Sequence, residues 1–175
     1  MKRDKAKGER TIFRRFAAVS GLSINMKSIR SRKPPRPDIS CRLGETPFYF
    51  EITRMAHQGS ANAMGHHLSQ LAGKGTAPAL APDCYDDRAA LREAIERKAA
   101  GKYQTDGRPI GLLVFADGVF HPPHMPPAWA RAVLEEKGPT ERWNGIWLYD
   151  AVYETVVASW SRNDKAAQHA AAADR

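Results

Sequence analysis

The sequence predicts an α/β fold, and three patterns carry this prediction. Residues 38–43 and 48–53 alternate apolar and polar side chains with the two-residue period of a β-strand. Residues 110–116 are continuously apolar, as expected of a strand that is covered on both faces. Residues 87–100 place their apolar side chains with helical spacing instead. Strand and helix patterns in a chain of this length indicate one α/β domain.

The domain is expected to span residues 9–162. The basic residues 1–8 are expected to be disordered, and the Ala-rich residues 163–175 are expected to form a flexible tail. No stretch approaches the roughly 18 consecutive apolar residues that a membrane span needs, and no apolar segment follows the N-terminus to make a secretory signal. Cys41 and Cys84 give no disulfide framework and suit a reducing cytoplasm, which is the predicted location.

The charge balance points to a polyanionic partner. The chain has 27 Lys and Arg against 19 Asp and Glu, a net charge of +8. Such a balance favours nucleic acid through the release of counterions, without specifying a sequence. Much of the excess lies in residues 1–15 and 27–36, and the second segment leads directly into the hairpin described below. The alternative is that basic tails raise solubility.

In chain order, residues 9–19 are expected to form the first helix, because their apolar side chains lie on one side. Residues 22–26 alternate and predict a short strand. The proline-rich residues 33–37 fit neither a helix nor a central strand, so they form an extended lead-in. Residues 38–43 and 48–53 then make a β-hairpin around a turn over the four residues between them.

In the second half of the chain, residues 57–72 are compatible with a helix and residues 73–83 with a mobile loop. A helix over residues 87–100 precedes the apolar strand. A proline-rich loop, a helix over residues 128–137 and a strand over residues 145–149 follow.

Asp38 and Glu51 are the central candidates for a site, since the hairpin places both on the polar face of neighbouring strands. Mg²⁺ and Mn²⁺ prefer oxygen ligands, so two carboxylates that face the same way suit such an ion beside a phosphodiester. The ion would activate a water and offset charge on the phosphate. The alternative is that Asp38 caps a turn and Glu51 lies on a solvated face, and spacing alone leaves both open.

Residues 37–38 and 50–53, Pro-Asp and Phe-Glu-Ile-Thr, resemble the motif of the PD-(D/E)xK nuclease superfamily. Residues 94–103 and the strand over residues 111–115 resemble the helix and strand that follow this motif, so the similarity covers about residues 9–120. The resemblance implies a restriction-endonuclease-like core, in which a central mixed β-sheet is flanked by helices. It also implies that Asp38, Glu51 and the carbonyl oxygen of Ile52 bind Mg²⁺ or Mn²⁺.

Thr53 stands where the family has a lysine, and a hydroxyl cannot carry that positive charge, so Thr53 is expected only to add a hydrogen bond. Lys98 is the predicted replacement that positions the attacking water. It falls within the apolar stripe of the helix over residues 87–100, where a lysine is disfavoured without a partner. Lys102 is the reserve candidate. The alternative is that Lys98 snorkels near the helix end, where a cation suits the helix dipole.

Glu9 likewise lies within the apolar face of the first helix. Several nucleases of the superfamily resemble it in placing a glutamate on the first helix near the metal, so Glu9 is a candidate to complete the acidic site. The alternative is that Glu9 occupies the favourable first turn of a helix. Arg32, Lys33 and Arg36 are expected to contact phosphates, because they lead directly into Asp38.

Three functional hypotheses follow. The first is a metal-dependent nuclease, or a component of one, that hydrolyses DNA phosphodiesters. The second is a catalytically inactive protein with the same fold, which binds nucleic acid or inhibits a protein. The third is a structural protein whose four tryptophans form the interface of a homodimer or of a larger protein complex.

Overall fold

The computed structural model of the chain describes residues 2–55, 87–117, 128–140 and 142–162. In these ranges three helices flank a six-stranded mixed sheet, so the prediction of an α/β fold with a central mixed sheet is confirmed. The helices and strands in chain order are α1 (Lys2–Val19), β1 (Arg30–Ser31), β2 (Ile39–Leu43), β3 (Thr46–Arg54), α2 (Asp87–Ala99), β4 (Ile110–Ala116), α3 (Ala128–Lys137), β5 (Gly145–Asp150) and β6 (Thr155–Ser161).

The strands follow one another across the sheet in sequence order. β1, β2 and β3 are antiparallel neighbours, β3, β4 and β5 run parallel, and β6 returns antiparallel to β5. Parallel neighbours need a crossover connection, and α2 and α3 lie in the two crossovers. The carboxyl ends of β3, β4 and β5 therefore meet at one edge of the sheet, which is where α/β proteins commonly bind ligands.

The β2–β3 hairpin fixes the register of the site. Leu43 pairs with Thr46, so the turn consists of Gly44 and Glu45 and is shorter than predicted. Gly44 has a φ of 57°, a conformation that glycine adopts without steric cost. At the other end of β2, Ile39 pairs with Phe50. The next position beyond this pair places Asp38 opposite Glu51.

The sheet separates two apolar layers. Phe50 lies at the centre of the layer under α1, where its ring centroid is 4.8 Å from that of Phe13, 5.0 Å from that of Phe48 and 5.4 Å from that of Trp147. The other layer packs α2 and α3 against β4 and β5 and contains the fully buried Trp143. Because strand side chains alternate between faces, Glu51 and Thr53 point toward the α2 side and Ile52 toward the α1 side.

Several predicted boundaries are wrong. α1 begins at Lys2 rather than at residue 9, because the N-terminal lysines and arginines favour a helix and Lys5 Nζ lies 3.5 Å from the Glu9 carboxylate one turn later. Residues 22–26 are not a strand: Ile24 makes an isolated bridge to Leu43, and the Asn25 side chain caps a 3₁₀ turn over Met26–Ser28.

β1 and β6 were not predicted, and β5 extends to Asp150. The predictions for residues 57–72, 73–83 and 163–175 and for the proline-rich loop lie outside the described residues. Among the helices that the structure describes, none is long and apolar enough to cross a membrane.

Phe50→Ala is expected to lower the free energy of unfolding by about 3–5 kcal/mol, because it opens a cavity among the rings under α1. Denaturant unfolding followed by circular dichroism measures this change. Val152→Ala is the control, since its side chain is exposed and its replacement should cost less than about 0.5 kcal/mol. Equal effects of the two substitutions would contradict the central position of Phe50.

Candidate functional site

Asp38, directly before the first residue of β2, lies opposite Glu51. The Asp38 backbone N–H donates to Glu51 Oε2 at 3.3 Å, and Asp38 Oδ2 accepts a hydrogen bond from the Ile52 backbone N–H at 3.0 Å. β2 begins only at Ile39, so the Asp38 side chain takes the place of a strand partner for Ile52. The hairpin register brings the two acidic residues opposite each other.

The carbonyl oxygen of Ile52 faces the β2 side of β3, as does the Ile52 N–H that donates to Asp38. The Tyr49 N–H donates to the carbonyl just before β4 and the Met55 N–H to a carbonyl of β4, so alternate residues of this part of the chain present their backbone groups to β4. Ile52 lies between these positions and presents its backbone to the β2 side instead. The N–H and C=O of one strand residue point in the same direction, so the Ile52 carbonyl faces the region of Asp38.

Lys98 reaches this pair from α2. Its Nζ lies 2.5 Å from Glu51 Oε1, and the side chains are 24% and 7% exposed. Lys98 lies on the α2 face that packs Leu91 and Ile95 against the sheet, so its stem follows that apolar face and its ammonium group reaches the carboxylate. Tyr103, which the sequence had not singled out, donates its hydroxyl to the Lys98 carbonyl at 3.0 Å. Lys102, the reserve candidate, is exposed.

Burial and like charge dominate the electrostatics of Glu51. Burial, followed by the neighbouring Asp38 carboxylate, raises the pKa of Glu51 to about 7. The hydrogen bond and charge of Lys98 act in the opposite direction but are outweighed. Two neighbouring carboxylates repel each other when both are ionised, and a further cation beside them would relieve this repulsion.

Thr53 anchors Arg97, an exposed residue of α2. Thr53 is 5% exposed, and its Oγ1 accepts a hydrogen bond from Arg97 Nη2 at 3.0 Å. Arg97 and Lys98 are consecutive in the last turn of α2, so one reaches Thr53 and the other Glu51. The only sequence signal for Arg97 was its position beside the misplaced lysine.

Glu9 faces the site from α1. Burial raises the pKa of Glu9, and the charge of Asp38 raises it further, while Lys5 lowers it. Glu9 is therefore within electrostatic range of Asp38. Within the described ranges, no three His, Cys, Asp or Glu side chains come close enough to form a metal-binding group.

A cleft of about 830 Å³ lies between α1 and α2, over the carboxyl ends of β3 and β4. Five cationic residues and two acidic residues line it, together with Ile52 and Thr53 in its floor. Asp38 and Glu51 do not line the cleft themselves, but Lys98 and Glu9 do. The charged lining residues are Lys5, Lys7, Arg54, Arg97, Lys98, Glu9 and Asp117.

Arg32, Lys33 and Arg36, the residues predicted to contact phosphates, lie outside the cleft. The Arg32 backbone N–H donates to the Asp38 carbonyl at 2.8 Å, and its Nε donates to Ser40 Oγ at 2.8 Å. Lys33 is exposed, and Arg36 Nη2 lies 3.5 Å from Asp106 Oδ2. None of the three lines the cleft.

A divalent ion fits the donor set. Mg²⁺ is commonly held by one or two carboxylates and keeps several waters, so Asp38, Glu51 and the Ile52 carbonyl suffice without a third carboxylate. Burial is the main cause of the raised pKa of Glu51, and the Asp38 charge, the second cause, is a repulsion that such an ion would relieve.

Neither the protein-family models nor the curated proteins nor the solved structures contain a match to the chain.

Glu51→Gln is expected to change how stability depends on pH in the presence of EDTA. Because the pKa of Glu51 is raised from 4.5 to about 7 on folding, the folded chain holds this proton more tightly than the unfolded chain. Glu51 therefore contributes stability below about pH 4.5 that is lost as the pH rises to about 7, with a slope of at most about 1.4 kcal/mol per pH unit.

The measurement is the difference in unfolding free energy between wild type and Glu51→Gln across this pH range. Glu45→Gln, on the exposed hairpin turn, is the matched control. A difference for Glu51→Gln that does not change with pH would contradict the raised pKa.

Proposed function

We propose that the chain is a metal-dependent nuclease of the PD-(D/E)xK type that hydrolyses phosphodiester bonds, with DNA as the expected substrate. The contact between Lys98 and Glu51 carries this proposal. A lysine from a separate helix stands beside the acidic pair, where it can supply the positive charge that Thr53 cannot.

In this proposal Asp38, Glu51 and the Ile52 carbonyl hold Mg²⁺ or Mn²⁺. When bound, the ion lowers the pKa of a coordinated water and offsets negative charge on the phosphate. Lys98 remains hydrogen-bonded to Glu51 and orients the attacking water with its ammonium group. Thr53 contributes through its hydrogen bond with Arg97. Glu9 faces Asp38 and adds negative charge at the cleft wall.

The reaction is a simple hydrolysis. The oxygen of the attacking water bonds to phosphorus as the ester P–O bond breaks. A proton from the water is balanced by the proton that the leaving sugar oxygen takes up, so the products are a phosphomonoester and an alcohol. No redox step or further reactant is required.

The charge distribution supports a polyanionic substrate. The cleft carries an excess of cations, and the chain as a whole has a net charge of +8. Arg32, Lys33 and Arg36 lie beside Asp38 but outside the cleft, so they would contact the backbone beyond the hydrolysed bond. Such contacts supply affinity without reading sequence.

A second candidate function is nucleic-acid binding, or inhibition of a protein, without catalysis. The observation that favours it is that both oxygens of Glu51 have a partner in the protein: Oε1 accepts from Lys98 and Oε2 accepts from the Asp38 N–H. A carboxylate held in this way also serves as a structural ion pair. Loss of a single charged partner would then affect stability rather than hydrolysis.

Purified protein is expected to cleave plasmid, linear or single-stranded DNA with Mg²⁺ or Mn²⁺ and to lose this activity in EDTA. Asp38→Asn and Glu51→Gln should each lower the cleavage rate at least about 100-fold, because each removes a charged ligand. Gel-based cleavage assays measure the rates, and Glu45→Gln is the control. Cleavage that persists when Asp38→Asn and Glu51→Gln are combined would contradict the site, and DNA binding without any cleavage would favour the second function.

A further inference from the structure

Thr53 has a role that does not resemble that of the motif lysine. Its side chain is buried, and its hydroxyl accepts a hydrogen bond from the guanidinium of Arg97. Both residues line the cleft. The hydroxyl therefore holds the guanidinium of an arginine that lines the cleft.

Arg97 differs from most of the cations around it. Lys98 is paired with Glu51, Lys5 Nζ lies 3.5 Å from the Glu9 carboxylate, and Arg54 Nε lies 2.7 Å from Asp117 Oδ1. Over the ranges that the structure describes, Arg97 has a neutral hydrogen-bond partner and no carboxylate within ion-pair distance. Among the described residues, its charge is therefore not balanced by an acidic side chain, although the next residue, Lys98, is paired with Glu51.

The geometry of a guanidinium suits phosphate. The group carries five N–H donors in a planar fork, so the bond to Thr53 leaves donors for a ligand. Arginine binds phosphate with two parallel hydrogen bonds, and holding the fork in place beforehand reduces the entropy lost on binding. A phosphate in the cleft would meet this fork next to the Lys98 ammonium group.

We propose that Arg97, positioned by Thr53, binds a phosphate of the nucleic-acid backbone in the cleft between α1 and α2. Arg97 is a substrate-binding residue and Thr53 is a positioning residue that acts through it. The inference rests on the proposed nuclease function for its substrate class. It requires only that the chain bind a polynucleotide, not that it hydrolyse one.

Binding of a short fluorescein-labelled DNA duplex in EDTA, measured by fluorescence anisotropy over a series of salt concentrations, tests this inference. Arg97→Gln is expected to weaken binding and to reduce the slope of log K against log salt by about 0.9, the value for one lost phosphate contact. Arg131→Gln removes the same charge from the exposed surface of α3, outside the cleft, and should leave the slope unchanged.

Thr53→Val separates positioning from charge, because it removes the hydroxyl and keeps Arg97. It should weaken binding, and Thr53→Ser should restore it. Thermal unfolding of each variant shows whether the fold is retained. Arg97→Lys keeps the charge but loses the planar fork, so its affinity for the duplex should lie between those of wild type and Arg97→Gln. A wild-type slope in folded Arg97→Gln, or wild-type affinity in folded Thr53→Val, would overturn the inference.

The same experiment distinguishes this inference from the nuclease proposal. A reduced slope in Arg97→Gln together with no cleavage in Mg²⁺ or Mn²⁺ would leave the phosphate contact in place and remove the nuclease function. Cleavage together with an unchanged slope in Arg97→Gln would remove the phosphate contact and leave the nuclease function in place.

Discussion

Glu51 is a carboxylate in a strand that is covered on both faces, and the surrounding structure balances its charge. An ionised carboxylate is costly to bury unless it is paired and hydrogen-bonded. Lys98 supplies the opposite charge from α2, and the backbone N–H of Asp38, just before β2, supplies a hydrogen bond. These contacts connect the β2–β3 hairpin to the last turn of α2, so the packing of α2 on the sheet also defines the site. Asp38 adds a second negative charge, which leaves the balance incomplete and favours a further cation.

Much of the fold was readable from local patterns. β4 and α3 have the predicted bounds, and the hairpin differs mainly in its shorter turn, because alternation and apolar runs follow directly from burial on a sheet. β1 was not predicted because two residues carry no periodicity. β6 was not predicted because its exposure does not alternate strictly between the two faces. The start of α1 was misplaced because residues Lys2–Gly8 contain no apolar stripe, although their helix propensity is high.

Asp38 and Glu51 were predicted from the alternation of the hairpin, and Lys98 from a conflict with its surroundings. A lysine in an apolar stripe needs a partner, and the structure places Glu51 beside it. Arg97 produced no such conflict, since an arginine on the polar side of a helix is ordinary. Its contact with Thr53 depends on how α2 packs against β3, which local spacing does not determine. The cations of the cleft likewise come from segments far apart in sequence.

The N-terminal half of α1 forms one wall of the cleft, with Lys5, Lys7, Gly8, Glu9 and Thr11 among its lining residues. The core contacts of the same helix come later, from Phe13 and Phe16. A recombinant protein shortened before Thr11 would therefore keep the residues that hold the helix on the sheet while losing a wall of the cleft.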